Sequence, residues 1–122
     1  MIPHPLADDL VKSVKRRASL MVRPATPAEM GSFEAKEADC HRNVERWILD
    51  HPRHRHARGW LVMPGGHFVR HSVVQFEDGR LVEITYVDGT HRRFIWHDRI
   101  SQLPFDDLPP QICRPIPADL RH

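Results

Sequence analysis

The chain has 122 residues, with 18 Lys and Arg against 16 Asp and Glu, ten His, eleven Pro, six Gly and two Cys. That is room for one compact domain, 1–122, and a hydrophobic share of 40% beside 28% charged residues excludes wholesale disorder. A formal charge of +2 is too small to imply a nucleic-acid binder, and no apolar run approaches the roughly 20 residues of a membrane span.

The opening MIPHPLADDL has neither a basic leader nor a hydrophobic signal stretch, so the chain reads as cytoplasmic. Between Pro5 and Leu20, the residues Leu6, Leu10, Val14 and Ala18 recur every four positions, the stripe of an amphipathic helix. Arg23-Pro24 stops it, and Thr26-Pro27-Ala28-Glu29 supplies an N-cap, a first-turn proline and an acid, predicting a short second helix or turn. These make an N-terminal helical segment over 1–30.

The core, 39–96, opens on DCHRNVERWILDHP. Cys40, Val44, Trp47 and Ile48 fall on one side of a helix, Asp39 is its candidate N-cap, and His51-Pro52 ends it. Beyond Pro52 the texture turns to β-prone runs: Gly59 to Met63, Phe68 to Phe76, Leu81 to Val87 and His91 to Trp96. Asp78-Gly79 and Asp88-Gly89 read as type I′ hairpin turns, which want positive φ at both central positions, and the result is an antiparallel meander. From 97 to 122 the chain carries Pro104, Pro109, Pro110, Pro115 and Pro117 and reads as a strap over the domain. The expected class is α+β, with N-terminal helices packed on a roughly four-stranded antiparallel sheet whose edge strands could pair two copies as a homodimer.

One constellation carries chemistry. Cys40 opens a helix, His71 lies on a strand and Glu83 lies on the next strand. A thiol at a helix N-terminus feels the positive end of the dipole, an imidazole beside it can move the proton in acyl transfer, and a carboxylate can orient that imidazole. A two-residue loop at Asp78-Gly79 would set His71 opposite Tyr86 and near Thr85, with Glu83 a diagonal neighbour; a longer loop would bring Glu83 or Thr85 closer. Glu83 ranks first as the partner of His71, Thr85 second, and Asp88 is more distant.

The stretch HSVVQFEDGRLVEIT, His71 to Thr85, resembles the transglutaminase-like branch of the papain-like cysteine superfamily, where a strand-opening His leads through a turn to a strand ending in Asp-x-Thr. Cys40 with its helix, followed by Gly59-Trp60-Leu61-Val62, is similar to the nucleophile helix and following strand of those families. The resemblance covers roughly 39–96. It implies a papain-like α+β core and thiol acyl transfer or amide hydrolysis on a peptide, protein or small amide, with Cys40 as nucleophile, His71 as base and Glu83 as orienting acid. Glu83 stands where the family has Asp. No Gln or Trp lies shortly upstream of Cys40, which leaves backbone N–H groups as the oxyanion donors.

Blander readings stand beside these. A Cys on an apolar helical face can be a small buried hydrophobe, His71 can be satisfied by a backbone carbonyl and Glu83 can be a solvated strand residue, leaving a non-catalytic interaction or regulatory domain. His51, His54 and His56, with His41 and His67, could approach a metal, but their spacing matches no zinc pattern and reads as a solvated basic loop. No cofactor is expected. Lys12, Lys15, Arg16, Arg17, Arg53, Arg55, Arg58, Arg92 and Arg93 are diluted by Asp8, Asp9, Asp106 and Asp107, so neither nucleic acid nor a membrane is an expected partner. Trp47, Trp60 and Trp96 read as packing residues, and Cys113 as structural or exposed.

Overall fold

The computed structural model describes residues 1–115. In chain order the elements are β1 (Ile2–Pro3), α1 (Leu6–Lys15), β2 (Leu20–Pro24), α2 (Pro27–Met30), α3 (Cys40–Asp50), β3 (Arg55–Met63), β4 (His67–Gln75), β5 (Leu81–Glu83), β6 (Arg92–Trp96) and β7 (Gln111–Cys113). Single 3-10 turns at His97–Arg99 and Phe105–Asp107 shape the connection between β6 and β7.

The sheet closes on itself. β4 pairs with β3, β3 with β6, β6 with β2 and β2 with β5, and β5 returns to β4, giving a five-stranded barrel to which β7 and β1 are appended. This corrects the expectation of helices laid on a four-stranded α+β meander. β5 does not pair with β6; β2 lies between them, and its parallel pairing with β5 completes the circle. Val22, Ala57, Leu61, Val73, Leu81 and Phe94 fill the interior. Gly59 on β3 packs tightly against β6: a Cβ there would fall 2.2 Å from the Ile95 carbonyl oxygen and 2.4 Å from the Phe94 ring.

Two covers shield the outer surface. α1 and the Phe105 turn bury Trp60, Phe68, Ile95 and Ile112, while α3 places Val44 and Trp47 on Val74, Val82 and Ile84. Each of these large apolar side chains contributes on the order of 1.5–3 kcal/mol when fully withdrawn from water.

Other sequence expectations change in detail. The first helix ends at Lys15, because Leu20 belongs to a strand. Thr26 does cap α2, forming a reciprocal pair with Glu29, whereas the Asp39 side chain makes no cap on α3. Gly79 and Gly89 adopt positive φ but Asp78 and Asp88 do not, so neither turn is type I′. The Leu81 to Val87 run is a strand only through Glu83. The Pro-rich strap is partly ordered as β7 beside β4, with Cys113 half-buried in it, and 116–122, including Pro117, lies outside the described residues.

Candidate active site

A break in strand pairing creates the site. Along one side of β4, residues 67–69 pair with β7 and residues 74–75 pair with β5, so among the described residues 71–73 have no strand neighbour there. The start of α3 fills that gap, with His41 reaching the Ser72 hydroxyl at 2.5 Å. The chain enters the helix through Ala38, whose φ of +57° is a left-handed conformation that costs a non-glycine residue on the order of 1 kcal/mol. Cys40 is the first helical residue, so its N–H and that of His41 have no acceptor within the helix.

His71 and Glu83 meet on the barrel's inner side. The five residues between β4 and β5 set Val74 opposite Val82 and Gln75 opposite Leu81, one position away from the register of a two-residue loop. His71 and Glu83 are 1% and 0% exposed, and the His71 Nε2–H donates to Glu83 Oε1 at 2.6 Å. The second carboxylate oxygen accepts from the Thr85 backbone N–H at 3.1 Å. With Nε2 held by Glu83, Nδ1 is the ring nitrogen left for the thiol.

Burial pushes the Cys40 thiol up. Hydrogen bonds with His41 and His71, followed by their charge, outweigh burial and lower it from 9.0 to about 6. Burial also works against a charged His71, but its hydrogen bonds with Cys40 and Glu83 and their charges raise it from 6.5 to about 9. Both shifts favour the charged forms of the pair, thiolate and imidazolium, while Glu83 bonds the ring at Nε2. Tyr86 stacks on His71 at 5.7 Å between centroids; its hydroxyl is raised by burial and then by the neighbouring Cys40 and Glu83, which keeps it a phenol.

Of the proposed partners of His71, the structure brings in Glu83 and not the others. Thr85 touches Glu83 through its N–H and accepts from Asn43 Nδ2 at 3.0 Å, while Asp88 pairs with Arg92 at 2.9 Å. The basic loop does not converge: His54 accepts from the Trp47 indole, His51 stacks on Trp47, and His56 reaches Ser72 at 2.7 Å. Among the described residues no three His, Cys, Asp or Glu side chains could share a metal.

Three residues at the site have places that the sequence does not assign. Asn43, one turn beyond Cys40 and fully buried, bonds both backbone groups of Lys36 and also Thr85, tying the loop before the helix to the strand end after Glu83. His41, grouped by sequence with the histidines that could approach a metal, bonds Ser72 instead. Ser72 is buried between two imidazoles. An Asn at i+3 from the nucleophile is the one signal that could have been found, because that spacing returns to the same helix face.

No helix of the described residues is long and apolar enough to cross a membrane. No family model matches the chain, and no curated protein or solved structure matches it closely enough to carry an assignment.

Proposed function

We propose that this chain performs thiol-dependent acyl transfer or amide hydrolysis, with Cys40 as nucleophile, His71 as proton carrier and Glu83 as the acid that orients it. The observation that carries this reading is the buried bond of 2.6 Å between His71 and Glu83, in a ring that, with His41, lowers the Cys40 thiol to about 6. A buried ion pair is weak evidence for stability, because desolvation offsets much of its attraction; a lowered thiol beside it is the arrangement nucleophilic chemistry requires. The order of nucleophile helix, base strand and acid strand is the part of the papain-like and transglutaminase-like resemblance that this reading keeps.

The steps follow from the resting charges. The Cys40 thiolate attacks the carbonyl carbon of an amide, a C–S bond forms and the carbonyl oxygen takes the electron pair, facing the free N–H groups of the helix start. As the intermediate collapses, the C–N bond breaks and the amine leaves with the proton of the His71 imidazolium. The neutral imidazole then takes a proton from water or an acceptor amine, which attacks the thioester and returns Cys40 to its resting form.

The test uses Cys113→Ser protein and p-nitrophenyl acetate at about pH 6.5, read by intact mass. Cys40 becomes acetylated in the parent protein and not in Cys40→Ser. His71→Gln, which keeps a donor for Glu83 but carries no base, slows the reaction about a hundredfold, as expected if the thiol returns toward 9. Acetylation no faster than that of a free thiol would leave the non-catalytic interaction domain.

A further inference from the structure

Asn43 is fully buried, yet every hydrogen-bonding position of its amide is filled. An asparagine side chain accepts two hydrogen bonds at its oxygen and donates two from its nitrogen. Oδ1 accepts from the Lys36 backbone N–H at 3.0 Å and from Arg46 Nη2 at 2.9 Å, while Nδ2 donates to the Lys36 carbonyl at 2.8 Å and to Thr85 Oγ1 at 3.0 Å. The partners themselves fix which end of the amide is which, because a backbone N–H and a guanidinium only donate and a backbone carbonyl only accepts. The bond to Thr85 therefore runs from the amide N–H to the hydroxyl oxygen.

Three of the four bonds are local. They clasp the loop ahead of α3 to the helix, and Arg46 reinforces the clasp by donating to the Glu34 carbonyl and lying 4.8 Å from the centre of the Phe33 ring. The fourth bond crosses the site. Thr85 lies past the end of β5, has no strand partner among the described residues, and gives its backbone N–H to Glu83 Oε2 at 3.1 Å. Glu83 Oε1 meets His71 at 2.6 Å. A carboxylate held at one oxygen alone can turn about that bond; the second bond, from Thr85, fixes its plane.

We infer that Asn43 is a positioning residue for both halves of the site: its amide holds the loop that leads to Cys40 and, through the Thr85 hydroxyl, the backbone N–H that keeps the Glu83 carboxylate on His71. The role rests on the acyl-transfer reading above. No hydrogen bond joins the Asn43 side chain to Cys40, His71 or Glu83 among the described residues, so its effect on the reaction passes through Lys36 and Thr85.

The experiment uses the Cys113→Ser protein and reads alkylation of Cys40 by iodoacetamide as a ratio, the rate at about pH 6.5 over the plateau rate at high pH. That ratio follows the thiolate population supported by the His71–Glu83 pair, whereas a packing change that only admits or excludes the reagent alters both rates together. Thr85→Val keeps the size of the side chain and the N–H to Glu83 but removes the oxygen that meets Asn43, and should lower the ratio about threefold. Thr85→Ser, which keeps that oxygen, should recover most of the loss. Asn43→Ala should lower the ratio at least as far as Thr85→Val, and the double variant no further than Asn43→Ala alone, as expected of residues that act in one chain. Where Asn43→Ala does not fold, the two Thr85 variants carry the test.

A Thr85→Val ratio equal to that of the parent, a Ser variant as low as the Val one, or additive losses in the double variant overturn the role. Parent protein that is not acetylated by p-nitrophenyl acetate removes the acyl-transfer reading and this role together, whereas an acetylated parent with an unchanged ratio in Thr85→Val removes this role alone.

Discussion

His71 and His97 are both buried, and each engages a partner through Nε2 as well as one on its other side, yet the two regions they hold together differ in kind. His97 accepts at Nδ1 from the Trp60 indole N–H at 3.0 Å and donates from Nε2 to the Leu103 carbonyl at 2.7 Å, with the Phe105 ring 5.3 Å away. Its partners are neutral and its tautomer is the neutral one, so it fastens the 3-10 turn to the outer apolar cluster. His71 stands between a carboxylate and a thiol, and its partners draw a second proton onto the ring. Burial alone does not separate a structural histidine from a working one; the chemistry of the two partners does.

Removing each ring is the strongest way to break this comparison. His71→Ala leaves the Glu83 carboxylate buried and unpaired, and should cost about 3–5 kcal/mol in urea unfolding, most of it recovered when Glu83 is replaced by Leu as well. His97→Ala leaves the Trp60 N–H and the Leu103 carbonyl unmatched and should cost about 1–3 kcal/mol, with no partner substitution among charged residues able to recover it. Comparable recovery in both cases would erase the distinction.

A smaller effect sharpens the contrast. Glu83→Gln keeps the shape of the pair but removes its charge, and should slow iodoacetamide alkylation of Cys40 at about pH 6.5 by about tenfold; His97→Gln should leave that rate within about twofold.

The smallest effect concerns pH. His71, raised from 6.5 to about 9, favours folding fully below 6.5 and loses that contribution as pH rises through 9. Cys40, lowered from 9.0 to about 6, favours folding above 9.0 and loses its contribution as pH falls through 6. The folded pair therefore holds one proton between about 6 and 9, as the unfolded pair does between 6.5 and 9.0. The opposing slopes cancel, and this pair should change stability by well under 1 kcal/mol across that window. In Cys40→Ser only the His71 slope remains, so stability should fall as pH rises from 6.5. A flat profile in the variant would show that Glu83 does not hold the proton on His71.

Much of this was legible in the sequence. The four-residue apolar spacing and Pro52 mark α3, the β-branched runs mark β3 and β4, and of the Cys40, His71 and Glu83 grouping the fold bonds His71 to Glu83. The barrel was not legible, because its closure depends on β2, a five-residue strand ending in Arg-Pro, pairing in parallel with a three-residue strand some sixty positions away. Such pairing leaves no local pattern. β7 was hidden among prolines for the same reason: its partners, not its composition, make it a strand. The bond of His41 to β4 was not legible because neighbouring helix positions point about 100° apart, and only the gap in β4, invisible in the sequence, lets the first turn of α3 set His41 against Ser72.

Closure of the five strands also bears on how copies of the chain meet. A meander would have offered open rows of backbone donors and acceptors to a second molecule, but here the barrel strands pair in a closed circle apart from the short gap along β4, and the terminal strand of the sheet, β1, is two residues long. A template that short has little capacity to seed strand-by-strand growth, so resistance to fibrillar association comes from topology rather than from charged guard residues.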